Sequence, residues 1–474
     1  MRDSEKSSTQ AAIGSLTALE IKKLASGDLR GTSSSFGGGA CLKDLGANTR
    51  IVAGNVGDHP MVLKLLMQIY QSSLAEDFQS RLDEPSYEPC DRLLLERAGQ
   101  MVGQVQTSKQ IGWFQQQRYP LVKLQDFVTL PEFRPAGYEN ELLRTAETTA
   151  LHDGAILGLV RTDRPEWFGQ HGWSCCRGQG HTRADTRAIL SHFDSQQTGA
   201  RRRRSSLEIR SWRHFELDSL RNVYHQISTN MWGTQQRSEA TWQWLVGRKA
   251  QDQILIAVKK SRSRPGGQSL VSHSIDDSQV VGYAVIRDSC IVEMMTLPGY
   301  AAARPLLVAR ACRDAIDRGH HFVSLHTPAT DPLHELLVTA GGSWLADSAA
   351  ASGVWMFKLL DPERWIERFY PILHQRARES GIGSTQEIYL AVGSTSYLLT
   401  LTRRSSRLER VTRQQQDVRC DWHAFQDLLL SNLTYSEAVS EDRLDTSHPD
   451  ISRTLAALFP PKLFWQSPFE LLRL

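Results

Sequence analysis

At 474 residues the chain is longer than one hydrophobic core normally serves, and its length predicts about three domains. Hydrophobic residues at 40% and charged residues at 23% exclude a wholly disordered or fibrous protein. The 55 basic and 52 acidic residues balance to a net charge of +3, which does not single out nucleic acid as a partner.

The seven cysteines form no C-x-x-C pair, and the adjacent Cys175 and Cys176 do not have metal-ligand spacing. Free thiols in a reducing, cytoplasmic setting are expected, with no metal. The segment MRDSEKSSTQ lacks the apolar core of a secretory signal, and no stretch reaches the roughly 18 apolar residues of a membrane span. A soluble protein is therefore expected.

Residues 1–47 read as a flexible Ser/Gly-rich tail with a short helical candidate around Ser15 to Ala25. From Asn48, a short strand precedes an amphipathic helix in which Met61, Leu63, Leu65, Leu66 and Ile69 crowd one side. Residues 91–130 read as three strands, and PEFRPAG breaks the last of them. YENELLRTAETTALHDG then shows helical spacing at Leu142, Leu143, Ala146 and Ala150, ended by Gly154. AILGLVRT is a buried strand candidate.

Residues 195–206 read as a linker containing Arg201 to Arg204, either a solvated tether or a nucleic-acid or lipid contact. From Leu207 to residue 360 the strand and helix order of the first domain recurs, which suggests a tandem repeat. A third unit, residues 361–474, opens on an amphipathic helix, continues in alternating strands and closes in helices. Its last segment, PKLFWQSPFELLRL, is apolar enough to be expected packed.

The segment LVKLQDFVTLPEFRPAGYENELL resembles the acyl-CoA-binding motif of GNAT acetyltransferases, in which a splayed strand leads into R/Q-x-x-G-x-G/A at a helix start. Here the motif reads Arg134, Pro135, Ala136, Gly137, Tyr138 and Glu139. Backbone N–H groups at a helix start and the helix dipole favour a pyrophosphate. Gly137 allows close approach, and Arg134 can pair with phosphate. The resemblance places Phe127, Val128 and Thr129 against the thioester and pantetheine arm, and Ala136, Gly137 and Tyr138 around the pyrophosphate of acetyl-CoA as acyl donor. Glu139 departs from the motif. Pointing inward it would repel the phosphate; pointing outward it would only stabilise the first helical turn.

The three-part order resembles the enhanced intracellular survival (Eis) family. This implies an α/β (α+β) fold with a tail at 1–47, a catalytic GNAT domain at 48–194, a linker at 195–206, a degenerate GNAT-like domain at 207–360 and a sterol-carrier-like α+β domain at 361–474. In the second domain TLPGYAAARPLL takes the motif's place without an Arg at the needed spacing before Gly299. The resemblance assigns the general base to the terminal carboxylate of Leu474 and the general acid to the position of Phe168, which cannot donate a proton. Tyr138, His171 or solvent would then protonate the thiolate, although His171 equally suits loop packing, and Trp167 and Trp173 suit the core. Asp126 and Glu132 could attract an amine near the strand.

The implied function is acetyl transfer to a primary amine of a small molecule or protein, with no nucleic-acid partner and a homo-oligomer possible. The alternative is a non-catalytic protein that binds CoA or an apolar ligand.

Overall fold

The computed structural model describes residues 40–70, 75–197, 207–259, 279–350, 353–382, 385–412, 416–446 and 448–471. The expected tail helix, the Arg201 to Arg204 run and Leu474 lie outside the described residues. The chain divides into two compact units, one formed by residues 1–108 and 124–149, the other by 109–123 and 150–474.

The first unit begins with strands β1 (Cys41–Gly46) and β2 (Thr49–Ala53), then helices α1 (His59–Tyr70) and α2 (Ala75–Leu82) and strand β3 (Arg92–Arg97). Strands β4 (Gln100–Phe114) and β5 (Gln117–Thr129) run through both units, as does the last turn of helix α3 (Tyr138–His152). Antiparallel pairing runs β1–β2–β3–β4. Helix α1 buries Val62, Leu63, Leu65 and Leu66, while Met61 and Ile69 of the expected stripe sit at its margin. Helix α3 buries the four apolar residues its spacing predicts, Leu142, Leu143, Ala146 and Ala150.

In the second unit follow β6 (Leu157–Thr162), α4 (Pro165–Gly169), β7 (Ser174–Cys175), β8 (Gly180–Asp185), α5 (Thr186–Gln197), β9 (Leu207–Ser211), α6 (Leu217–Ser228), α7 (Glu239–Gly247), β10 (Gln253–Lys259), β11 (Gln279–Arg287) and β12 (Cys290–Thr296). Next come α8 (Ala303–Asp317), β13 (Phe322–Leu325), α9 (Pro332–Thr339), β14 (Ser343–Ala346) and β15 (Val354–Leu359). A seven-stranded sheet runs β14–β8–β13–β12–β11–β10–β9, parallel only between β12 and β13. Strand exchange crosses the sequence order: β8 precedes residue 195 yet joins this sheet, whereas β15 pairs with β6 and β7.

Alternation along β10 explains how this sheet carries two cores. Leu255 and Ala257 face α8 residues such as Leu307 and Val308, while Ile254, Ile256 and Val258 face Leu220, Val223 and Trp242 of α6 and α7. Trp465 and Phe469, near the end of the chain, pack into the second of these cores.

A third sheet takes the order β18–β17–β16–β19–β20, built from β16 (Gln386–Val392), β17 (Thr395–Leu401), β18 (Ser406–Val411), β19 (Val418–Cys420) and β20 (Leu444–Asp445). Helix α10 (Pro362–Glu379) lays Trp365, Ile366, Phe369, Ile372 and Leu373 into its core, and α11 (Trp422–Leu429), α12 (Tyr435–Ser440) and α13 (Pro449–Leu458) complete it. Among the described residues no helix is long and apolar enough to cross a membrane.

Candidate functional site

The motif's strand, turn and helix lie in the first unit. Within β5, Asp126 takes a left-handed conformation with φ 50°, so the strand kinks. Its carbonyl accepts from Gln104 Nε2 at 2.6 Å. Gln104 is itself held by Arg92 Nη1 at 3.0 Å, and Arg81 pairs with the Asp126 carboxylate at 3.1 Å. Arg92 is fully buried, with its guanidinium 5.0 Å above Phe78. Asp126, a candidate for attracting an amine, is anchored by Arg81 and lies beside a buried cation.

Beyond the kink, the Leu130 N–H returns to the Val102 carbonyl at 2.8 Å, and β4 and β5 come close because residue 103 is glycine. A Cβ there would stand 3.0 Å from Val128 O and Thr129 Oγ1. The Thr129 hydroxyl is fully buried with no hydrogen-bond partner among the described residues. Such an orphan costs about 1–3 kcal/mol. Val128 is buried beside it, and Phe127 is half-buried.

The turn Pro131–Ala136 is one exposed stretch of 3-10 helix ending at Gly137, which adopts φ 77°. Glycine suits this left-handed position, and an added Cβ would meet nothing within 4 Å, so the backbone faces open space. Helix α3 starts at Tyr138, and the Asn140 and Glu141 N–H groups donate to the Gly137 carbonyl at 3.1 and 3.4 Å. Arg134 Nε donates to the Thr129 carbonyl at 3.2 Å, which fixes its stem at the turn. The motif residues Arg134, Ala136, Gly137 and Tyr138 thus come together with Val128 and Thr129, in an arrangement able to receive a pyrophosphate on backbone N–H groups.

Two features of the turn differ from expectation or escape it. Glu139 is 3% exposed, so its side chain is turned inward, where it complements the positive end of α3 but adds a negative charge that the cations at the turn would have to outweigh for a phosphate to bind. The reading in which it points out to solvent is therefore overturned. Sequence reasoning missed Arg97, whose guanidinium lies 5.3 Å from the Phe133 ring and 5.5 Å from the Tyr138 ring. It brings a second cation to the turn, from the β3–β4 hairpin.

The expected acid position lies in the second unit. Phe168 is buried in α4, edge-on to Trp167 at 4.9 Å and Trp173 at 5.6 Å. Trp173 fits against β6 only because residue 158 is glycine: a Cβ there would stand 2.8 Å from the indole. His171 Nδ1 donates to the Trp167 carbonyl at 2.8 Å, which leaves Nε2 as the acceptor nitrogen of the neutral ring. Burial pushes the Cys176 thiol well above its usual range and raises Cys175 as well, so neither is tuned as a nucleophile. Among the described residues no group of His, Cys, Asp and Glu is arranged to hold a metal.

No protein-family model matches the chain, and no curated protein matches it in sequence. Solved structures do share its architecture. A conserved protein of unknown function from Enterococcus faecalis V583, described as a probable N-acyltransferase, is similar over 88% of this chain and 97% of its own, with TM-score 0.66 and 13% identity. A GCN5-related N-acetyltransferase from Kribbella flavida covers 88% and 97% with TM-score 0.64 and 15% identity. The fold is that of the GNAT acyltransferases. Eis1 from Mycobacterium abscessus is similar over 88% of this chain and 99% of its own, with TM-score 0.57 and 14% identity, in keeping with the Eis-like resemblance.

In this GNAT fold the second sheet carries its own strand, turn and helix, from β12 through Gly299 to α8. Gly299 also has φ 85° and open space. Here, however, Arg304 is paired with Asp331, which also caps α9.

A further cluster was not foreseen. Arg237 binds both oxygens of Glu293, at 2.9 and 2.6 Å, and reaches Glu470 from Nε at 2.9 Å. The Tyr283 hydroxyl donates to Glu293 at 2.6 Å, and the Ser467 hydroxyl also donates to it. Burial alone would raise the Glu293 carboxyl, but Arg237 outweighs it and holds the group below its usual range.

Proposed function

We propose that the protein is an acyl-CoA-dependent N-acyltransferase that moves an acetyl group from acetyl-CoA to a primary amine by direct attack. The observation that carries this reading is the kinked strand and open Gly137 turn at the start of α3, set in a GNAT fold. Phe127, Val128 and Thr129 would line the thioester and pantetheine arm, and Arg134, Ala136, Gly137 and Tyr138 the pyrophosphate. Arg97 would add its charge to that of Arg134.

In the reaction the neutral amine attacks the thioester carbonyl, a strand N–H holds the oxyanion, and collapse expels the CoA thiolate. The amine nitrogen loses its proton to the terminal carboxylate of Leu474, directly or through water. Phe168 has no proton to give. The thiolate, whose conjugate acid has a pKa of about 8.5, takes one from solvent, Tyr138 or His171. The second GNAT-like domain serves as scaffold, and the third, read as sterol-carrier-like, supplies packing or an apolar-ligand site.

The second reading, a CoA-binding protein without turnover, is favoured by one observation: the side chain at the acid position is a buried phenylalanine. Calorimetry with acetyl-CoA on the wild type and on Gly137→Glu tests the loop. Thiol release from acetyl-CoA with a panel of primary amines then separates the two readings. Micromolar binding lost in the variant, together with saturable thiol release, supports the enzyme; binding without release on any amine supports the rival.

A further inference from the structure

Two guanidiniums meet one carboxylate at the kink of β5. Arg81, in the last turn of α2, reaches Asp126 Oδ2 at 3.1 Å, and Arg92 Nη1 lies 3.8 Å from the same oxygen. Among the described residues, Asp126 is the carboxylate paired with either of them. Their other partners are neutral: Arg81 Nη1 donates to Gln125 Oε1 at 3.0 Å, Arg92 Nη1 to Gln104 Oε1 at 3.0 Å, and Arg92 Nε to the Tyr87 hydroxyl at 3.1 Å. At ion-pair distance, one guanidinium charge is left over beside residues 125 and 126, directly before Phe127.

The groups hydrogen-bonded behind Arg92 add no negative charge. Tyr87 shares a hydrogen bond of 2.8 Å with His59 Nε2. Burial, and then the charge of Arg92, lower the His59 pKa from 6.5 to about 4, so the imidazole is neutral at pH 7. Burial also raises the Tyr87 phenol, which keeps it protonated. The two arginines differ in access: the Arg92 side chain is 1% exposed and that of Arg81 24%. Arg92 therefore keeps the carboxylate occupied, and Arg81 is the cation that a ligand meets. Both contacts of Arg81 use Nη1, which leaves Nε and Nη2, the edge that receives a carboxylate side-on through two parallel N–H groups.

This arrangement disfavours an ammonium group at Asp126, which would have to displace a guanidinium and sit beside two cations. We infer that the acceptor is an amino acid, whose carboxylate pairs with Arg81 while its amine lies at Phe127 for attack on the thioester. The inference rests on the proposed acyl transfer and names its substrate class, with Arg81 as the specificity-determining residue. Few bonds separate the two ends of an amino acid, which matches a cation at residues 125 and 126 next to the strand proposed to line the thioester. The neighbouring charge also favours the neutral, nucleophilic form of the amine. In the reaction one C–N bond forms, one C–S bond breaks and the amine proton ends on the CoA thiol, giving an N-acetyl amino acid.

Thiol release from acetyl-CoA, measured with glycine, β-alanine, L-leucine and L-lysine, each against its own amide, tests the acceptor class. The amide keeps the size and has the more readily deprotonated amine, so the comparison runs against the proposal. The acids should nevertheless be preferred by about 10- to 100-fold in kcat/KM. Arg81→Gln should abolish the preference by raising KM for the acid, with KM for acetyl-CoA unchanged, and Arg81→Lys should retain part of it. Asp126→Asn keeps a residue that tolerates the left-handed conformation and releases the second guanidinium, so it should lower KM for the acid by roughly a few-fold.

Equal rates for acids and amides overturn the acceptor class and leave acyl transfer standing. An acid preference that survives in Arg81→Gln removes Arg81 as its reader, and a rise in amine KM in Asp126→Asn makes Asp126 the ammonium's partner; either result overturns the inference. If acetyl-CoA fails to bind in calorimetry, or binds and no amine of either kind releases thiol, the acyl-transfer reading itself fails and the acceptor class with it.

Discussion

Two turns of this chain join a strand to a fifteen-residue helix, one through Gly137 and the other through Gly299, and both glycines hold a left-handed conformation facing open space. The difference lies in the side chains around them. At the first, the stem of Arg134 is tied to a backbone carbonyl and Arg97 stands over the rings of Phe133 and Tyr138. At the second, Arg304 is spent on Asp331, and Lys259 reaches the Tyr300 hydroxyl at 3.2 Å. Backbone shape survives in both turns because it is set by packing of helix on sheet. On the proposed reading, the capacity to take an anion depends on the cations at each turn: Arg134 and Arg97 at the first, and at the second an Arg304 already paired with a carboxylate.

The sharpest way to break this comparison is to place the same substitution in both turns. Each glutamate costs roughly 1–2 kcal/mol of left-handed strain. Gly137→Glu also puts a carboxylate where the pyrophosphate would lie, and should weaken acetyl-CoA binding by about 100-fold or more. Gly299→Glu should leave binding within about twofold of the wild type. Calorimetry on both variants decides, and equal losses would mean that the second turn binds as well.

The next effect belongs to the second region, whose ionisable groups serve structure. His326 stacks on His181 with ring centroids 4.4 Å apart, and burial, followed by repulsion from His181, lowers its pKa from 6.5 to about 3. A depressed histidine means that the unfolded chain binds the extra proton. Its contribution is whole above pH 6.5 and is lost as pH falls from there towards 3. At pH 5 the loss is about 2 kcal/mol. Melting curves at pH 7.5 and 5 should therefore diverge less for His326→Gln than for the wild type. Glu293, held low by Arg237, weakens the fold only at more acid pH, as its carboxylate takes up a proton.

Replacing the two arginines sharpens the contrast at a smaller scale. Arg134→Ala should weaken acetyl-CoA binding about tenfold with little change in melting, because its lost partner is one carbonyl beside a half-exposed side chain. Arg304→Ala should leave binding alone and cost about 1 kcal/mol or somewhat more, because it leaves the Asp331 carboxylate, whose side chain is 2% exposed, with its helix cap but without its cation. Calorimetry and denaturant melts on the pair should separate the two effects.

What was legible in the sequence was local. The spacing of Leu142, Leu143, Ala146 and Ala150 specified both a helix and its buried face, and R-x-x-G placed the left-handed glycine. The exchange of β8 and β15 was not legible, because strand partners far apart in sequence leave no mark on hydrophobic periodicity. The same limit hid the Arg237 cluster, whose members lie 56 and 233 residues apart. Arg97 was hidden for another reason: its role comes from two rings on a different segment.

The smallest effect concerns the residue at which this chain leaves the resemblance. Phe168 lies between Trp167 and Trp173 at 3% exposure, so Phe168→Tyr adds one hydroxyl to a tight site. Without a partner for that hydroxyl the variant should lose about 1 kcal/mol of stability. If the ring edge faces the departing sulfur, the new proton donor should raise kcat by a few-fold and make it fall at alkaline pH as the phenol ionises near 10. The gain is small because a thiolate is already an adequate leaving group, so the proton can arrive late. A kcat–pH profile measured on the variant and the wild type separates the two cases. An alkaline limb present only in Phe168→Tyr places residue 168 at the leaving group; identical profiles leave Phe168 as packing and shift the search for a donor to Tyr138 and His171.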